Sequence, residues 1–227
     1  MAVNHLAQQL SQWLQQSSPL QNVHVGTAQL ELGDKPLHVQ IVEFARGCGV
    51  DKVVICPLFL VPGVHVMEDI PAEVAIASEV GLEVVVTPFL GAGGDLGDMF
   101  AQHRLTMPER AILLAHGSRR EHGNDGLEKL ATRLDVGNAY WSIEPSLTDR
   151  SIEYIKSGAT EIGILLYFLF SGGITDAIGK SVAELRQTFP HVKFSLGVAI
   201  GDRPELVDTI GKMLISIDST DSNLFED

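Results

Sequence analysis

Two histidine-bearing loops and one glutamate are the groups of this 227-residue chain that could do chemistry. The first loop runs Pro57-Leu-Phe-Leu-Val-Pro-Gly-Val-His65 and continues into Glu68-Asp69-Ile70-Pro71. Pro62 and Gly63 impose an irregular connection, and His65 projects from it just ahead of two carboxylates. Glu68 and Asp69 suit the first turn of a following helix, where negative charge and capping are favoured. The second loop, His116-Gly117-Ser118-Arg119, sets an imidazole directly after an apolar run, with a glycine that permits a sharp turn. Alone, that tetrapeptide fits a loop histidine more readily than a ligand, and Ser118 fits the N-cap of the next helix. Glu31 closes a predicted strand and points toward the same rim. A neutral imidazole beside a carboxylate suits a borderline divalent cation such as Fe2+, Co2+ or Ni2+, held while another ligand takes it. An imidazole also accepts protons near neutral pH. No Gly-flanked serine supports a hydrolase triad. Neither Gly91-Ala-Gly93-Gly94 nor Ser171-Gly172-Gly173 forms a phosphate-binding fingerprint, which weighs against a nucleotide-using enzyme.

The elements that must position these residues occur twice. The segment Gly49 to Gly63 (GVDKVVICPLFLVPG) returns as Gly158 to Gly172 (GATEIGILLYFLFSG) at a constant offset of 109, and Pro36 falls on Pro145. The chain is therefore two copies of one α/β unit. His65 has Ile174 as its counterpart and Glu31 has Tyr140, so the chemistry is unevenly divided. A fused dimer with a pseudo-twofold axis and a site between its units would show this pattern.

Leu6, Leu10 and Leu14 predict an opening helix, and alternation over 21–32 predicts a strand. A helix over 36–48, a buried strand over 52–60, a helix over 68–80, a strand over 82–87 and a helix over 95–103 complete a first unit, 1–104. A linker, 105–110, follows. The second unit, 111–215, begins with a strand at Ala111–Ala115, for which the first has no counterpart. Then come a helix over 121–134, a strand over 138–142, a helix over 145–157, a strand over 161–168, a helix over 174–189, a strand over 192–198 and a helix over 202–217. The acidic stretch 216–227 reads as a disordered tail. Alternating strands and helices imply parallel sheets with right-handed crossovers and ligands at the carboxyl ends of the strands. His65 and His116 both follow strand ends.

A formal charge of −13 and an isoelectric point near 4.9 exclude nucleic acid as an expected partner, because phosphate contacts need clustered Lys and Arg. The same charge is compatible with attracting divalent cations. Cys48 and Cys56 lack metal-ligand spacing and read as buried small apolar residues, which fits a reducing cytoplasm. Apolar runs stop well short of the roughly 20 residues that a bilayer span requires, and residues 1–5 show no export signal.

The sequence resembles the sirohydrochlorin chelatase family, the cobaltochelatases and ferrochelatases of cobalamin and sirohaem synthesis. The matching elements are Leu113-Leu-Ala-His-Gly-Ser-Arg119, the stretch Pro57 to Pro71 containing Gly-Val-His65 and Asp69-Ile70-Pro71, and Tyr167-Phe-Leu-Phe-Ser-Gly172. The resemblance implies a two-unit chelatase with a tetrapyrrole in the cleft between units and a metal inserted without ATP. It makes Co2+, Fe2+ or Ni2+ a substrate rather than a prosthetic group. It assigns His65 and Glu31 to metal binding and proton acceptance, with His116 carrying the same His-Gly-Ser motif in the second unit. The first unit lacks that motif and the strand before it. From this absence follow the expectations of a marginal first unit and of a polypeptide that starts upstream of Met1. The alternative function is a non-catalytic tetrapyrrole or metal carrier, or an inactive chelatase. A monomer with internal pseudo-twofold symmetry, or a weak homodimer, is the expected state.

Overall fold

A computed structural model describes residues 2–17, 22–31, 33–92 and 94–221. The chain divides into two compact units, one made of 1–93 with 205–227 and the other of 94–204. These boundaries differ from the halves of the repeat. Helix α4, Gly94–Arg104, ends the first sequence copy yet belongs to the second unit, and α8, Glu205–Asp221, ends the second copy yet belongs to the first.

In the first unit, α1 (Ala2–Ser17) buries the predicted Leu6, Leu10 and Leu14 and packs against α8. Gly211 of α8 lies against the Trp13 ring, where any side chain would collide with the indole. The predicted tail is therefore helical through Asp221, and 222–227 lie outside the described residues. Helix α2 (Leu37–Cys48) ends on Gly49 in the left-handed conformation, whose N–H reaches the Ala45 and Arg46 carbonyls. Strand β1 (Lys52–Ile55) pairs in parallel with β2 (Glu83–Val86), Val53 opposite Val84. Between them stand a π-helical turn, His65–Asp69, and α3, Ile70–Ser78. A core of Leu37, Ile41, Ala45, Val53, Ile70 and Leu82 joins helices to sheet.

Two strand expectations fail here. The apolar run predicted as a strand over 52–60 leaves the sheet after Ile55, because Pro57 has no N–H to pair and the chain folds back with Phe59 N–H on the Pro57 carbonyl at 2.9 Å. Residues 22–31 of the strand predicted over 21–32 join no ladder; Gln21 and Leu32 lie outside the described residues. The second unit shows why. There the equivalent strand, β4 (Gly137–Tyr140), pairs only with β3 (Arg110–Ala115), and the first copy has no β3 to receive it.

The second unit carries a four-stranded parallel sheet in the order β4-β3-β5-β6, with β5 at Glu161–Tyr167 and β6 at Lys193–Leu196. Arg110 to Ala115 of β3 lie opposite Ile162 to Tyr167 of β5. Both central strands are buried throughout apart from their first residues, as expected for strands covered on both faces. Helices α5 (Asp125–Leu134), α6 (Leu147–Lys156) and α7 (Gly173–Thr188) complete the unit. Helix α5 starts later than 121 because Arg120 to Asn124 form a turn, with His122 at φ 59°. Helix α6 begins with a reciprocal cap: Ser146 Oγ accepts from the Asp149 N–H, and the Asp149 carboxylate accepts from the Ser146 hydroxyl and from the Ser146 N–H at 2.9 Å, the hydroxyl foremost in lowering the Asp149 pKa. Arg104 fixes the chain before β3 through the Leu134, Pro108 and Glu109 carbonyls.

Candidate metal-handling rim

The loop that carries His65 is pinned from below. Gly91 N–H donates to the Phe59 carbonyl at 2.9 Å, and a side chain at Gly91 would run into the Leu60 backbone. The second unit repeats the device: Gly201 N–H donates to the Leu169 carbonyl, and Gly201 lies against Phe170. In both copies a glycine is required because one loop backbone crosses directly over another.

Above that contact the copies diverge. The duplicated strands align at an offset of 109, whereas the buried faces of the following helices align at 108, Ile70 with Ile178, Val74 with Val182 and Ala77 with Leu185. The first copy thus holds one extra residue between strand and helix. The π-helical turn takes it up, with Ile70 N–H reaching the His65 carbonyl five residues back. Such turns are frequent at functional sites.

That turn sets His65 Nδ1 2.7 Å from Asp69 Oδ2. Asp69 was expected as a helix-start carboxylate, but it makes no capping bond and accepts from the imidazole instead. The other ring nitrogen, Nε2, lies 3.8 Å from Glu31 Oε1. Glu31 and His65 thus come together, although the strand expected to end at Glu31 does not form. Both remain open to solvent, at 69% and 39% side-chain exposure, so a ligand can reach them. Phe59 stands beside the His65 ring, centroids 6.0 Å apart.

A second imidazole–carboxylate pair, missed in the sequence, lies between α2 and α3. Glu73 accepts from both the His38 backbone N–H and Nδ1, each at 2.8 Å, and these bonds, the backbone one foremost, lower the Glu73 pKa. Its residues are far apart in sequence and carry no shared motif.

His116 belongs to the other unit, following β3. Gly117, at φ 85°, allows the turn and fits against Tyr140 and Ile143. His116 Nδ1 sits 3.0 Å from the Gly117 carbonyl and 3.4 Å from Ser142 Oγ. Ser118 does not cap α5; its hydroxyl accepts from the Arg120 N–H, and Asn124 holds both its N–H and its carbonyl. Tyr140, at the Glu31 position, is buried, donates to Glu128 and accepts from Asn138, and burial leads the causes that raise its pKa. Cys48 and Cys56 are free and only partly buried as residues, yet burial pushes the Cys56 thiol up to about 11. Among the described residues no cluster of three or more His, Cys, Asp or Glu side chains is assembled for a metal, and no helix is long and apolar enough to cross a membrane.

Fold and site together define a duplicated α/β protein with parallel sheets and an exposed imidazole–carboxylate pair in its first unit. The chain belongs to the CbiX family, whose model matches it twice, over 2–105 and 110–216. It is 25% identical to the sirohydrochlorin cobaltochelatase of Priestia megaterium, over 82% of this chain, and spans 66% of the length of that relative. Its fold is that of SirB from Bacillus subtilis with Fe3+, at a TM-score of 0.73, 18% identity and coverage of 99% of this chain and 94% of the other. A sirohydrochlorin chelatase SirB from Bacillus subtilis subspecies spizizenii in complex with cobalt gives 0.71 and 20%, covering 99% and 92%.

Proposed function

We propose that this chain inserts Co2+ or Fe2+ into sirohydrochlorin in the cytoplasm without ATP, for sirohaem or cobalamin synthesis. The observation that carries this reading is the approach of His65 Nε2 to Glu31, both open to solvent, in a chain of the CbiX family. Insertion exchanges two pyrrole N–H protons for one divalent cation. The rim offers two basic sites, an imidazole nitrogen lone pair and a carboxylate, either of which can hold the incoming cation or take a departing proton. Their mixed nitrogen and oxygen character suits a cation that must be released to the macrocycle. His116, an imidazole that follows β3 in the second unit and has no counterpart in the first copy, is the candidate for the remaining proton transfer.

An anaerobic absorbance time course with sirohydrochlorin and Co2+ or Fe2+, at catalytic protein concentration and against a protein-free blank, tests this. Multiple turnovers above the blank are expected. His65→Ala should slow them about 10²-fold or more, the lower range for losing a positioned acid or base, while tetrapyrrole binding persists. An unchanged rate in that variant removes His65 from the assignment, and stoichiometric binding without turnover identifies a carrier.

A further inference from the structure

Asp69 has a structural role that the helix-start reading does not explain. It lies in the π-helical turn, takes the His65 Nδ1–H at 2.7 Å and caps no backbone group through its side chain. The turn exists because the first copy carries one residue more than the second. At the positions matching Asp69 by either offset the second copy has Ala177 and Ile178, and at the His65 position it has Ile174. Histidine and acid are present together in one copy and absent together from the other. Packing does not require Asp69: the buried face of α3 begins at Ile70.

We propose that Asp69 is a positioning residue for the metal-handling histidine. It fixes His65 as the Nδ1–H tautomer, orients the ring, and directs the Nε2 lone pair toward Glu31. Without the carboxylate the ring is free to rotate and to take the Nε2–H tautomer, which cannot accept a cation or a proton at that atom. Partners of this kind typically change metal affinity or activity 10- to 100-fold when removed. The inference rests on the reading of His65 as the metal-handling group, so its test includes a readout that needs no turnover.

The first measurement is the ring 15N spectrum of His65 at about pH 8, in the parent and in Asp69→Ala, with His65→Gln to assign the signals. The parent should show Nδ1 protonated, and the variant should shift toward Nε2–H. A parent ring protonated on Nε2 overturns the proposal whatever the enzyme does. The second is Co2+ binding without tetrapyrrole, followed by visible absorbance, beside insertion kinetics. Asp69→Ala should weaken Co2+ binding and lower kcat, each by about 10- to 100-fold, with the KM for the tetrapyrrole unchanged; Asp69→Glu should recover part of both. Asp69→Asn, nearly isosteric and still able to accept at Oδ1, guards against loss of the fold and should fall between parent and Ala. Parental Co2+ affinity and turnover in a folded Asp69→Ala protein refute the role. Failure of the parent to insert metal, with the tautomer as expected, refutes only the proposed reaction.

Discussion

The two sheets contain copies of one strand but treat it differently. In the second unit that strand, β5, has a neighbour on each edge and is buried from Ile162 to Tyr167. In the first, β1 pairs only with β2 among the described residues; it stays in the sheet for four residues, and Val54 is 40% exposed. Similar apolar sequences thus reach different burial because burial is conferred by the neighbouring strand, and the first copy does not supply one. The imidazole–carboxylate pair lies on the less buried unit, while the corresponding positions on the better packed one are Ile174 and Tyr140. Sites that must open to a bulky ligand are drawn from the less stable parts of a fold.

Thiol chemistry probes this contrast most strongly. Cys56 follows β1 and occupies the position of Leu165, which is fully buried in β5. With its thiol held near 11 by burial, about one molecule in a thousand carries the thiolate at pH 8. Disulfide reagents should therefore label Cys56 about a few hundredfold more slowly than an exposed thiol of ordinary pKa at that pH. Rapid labelling of the native protein would show that the first unit is open even at its inner layer. Amide exchange is next. Ile164 and Leu165 should be protected on the order of a hundredfold better than Val54 and Val85, because opening free energies range from near zero to the global value within one protein. Equal protection would abolish the distinction between the units.

Truncation compares the two cores directly. Ile164→Ala should cost near the top of the ~2–5 kcal/mol range for such changes and Ile41→Ala near the bottom, measured by denaturant unfolding. The reverse order would place the firmer core in the first unit. The smallest effect is acid sensitivity confined to the first unit. Glu73 has a folded pKa below its ordinary value, so the stability it contributes is complete above about pH 4.3 and is lost as pH falls through the folded value. Glu73→Gln should flatten that part of the pH dependence of melting temperature. An unaltered pH profile would show that the His38–Glu73 bonds contribute nothing there.

Much of this arrangement was legible in the chain. The leucine triad of α1, the duplicated strand and the alternation of strands and helices specified the parallel α/β units, because each depends on periodicity within a short window. The convergence of His65 and Glu31 was anticipated by placing both at strand ends, yet the structure brings them together from a loop and a π-helical turn. What the chain concealed depends on pairing across distance. Residues 22–31 have a strand-like pattern, but a pattern cannot form a ladder without the neighbour that β3 provides in the other copy. The π-helical turn was detectable as a one-residue change in repeat offset between strand and helix, yet that change appears only once the buried faces of α3 and α7 are known. The His38–Glu73 pair joins helices that local pattern does not bring together.

The exchange of terminal helices sets an order of assembly on the ribosome. Everything the second unit needs lies between residues 94 and 204, whereas the first unit includes helix α8, which is made after all of it. Of the two units, the one begun earlier is thus completed later. At the usual 5–20 residues per second, residues 1–93 wait roughly 6–22 s for the start of α8. Through that interval the leucine face of α1 lacks its partner, and a chain released before residue 205 would carry a finished second unit attached to an unfinished first one.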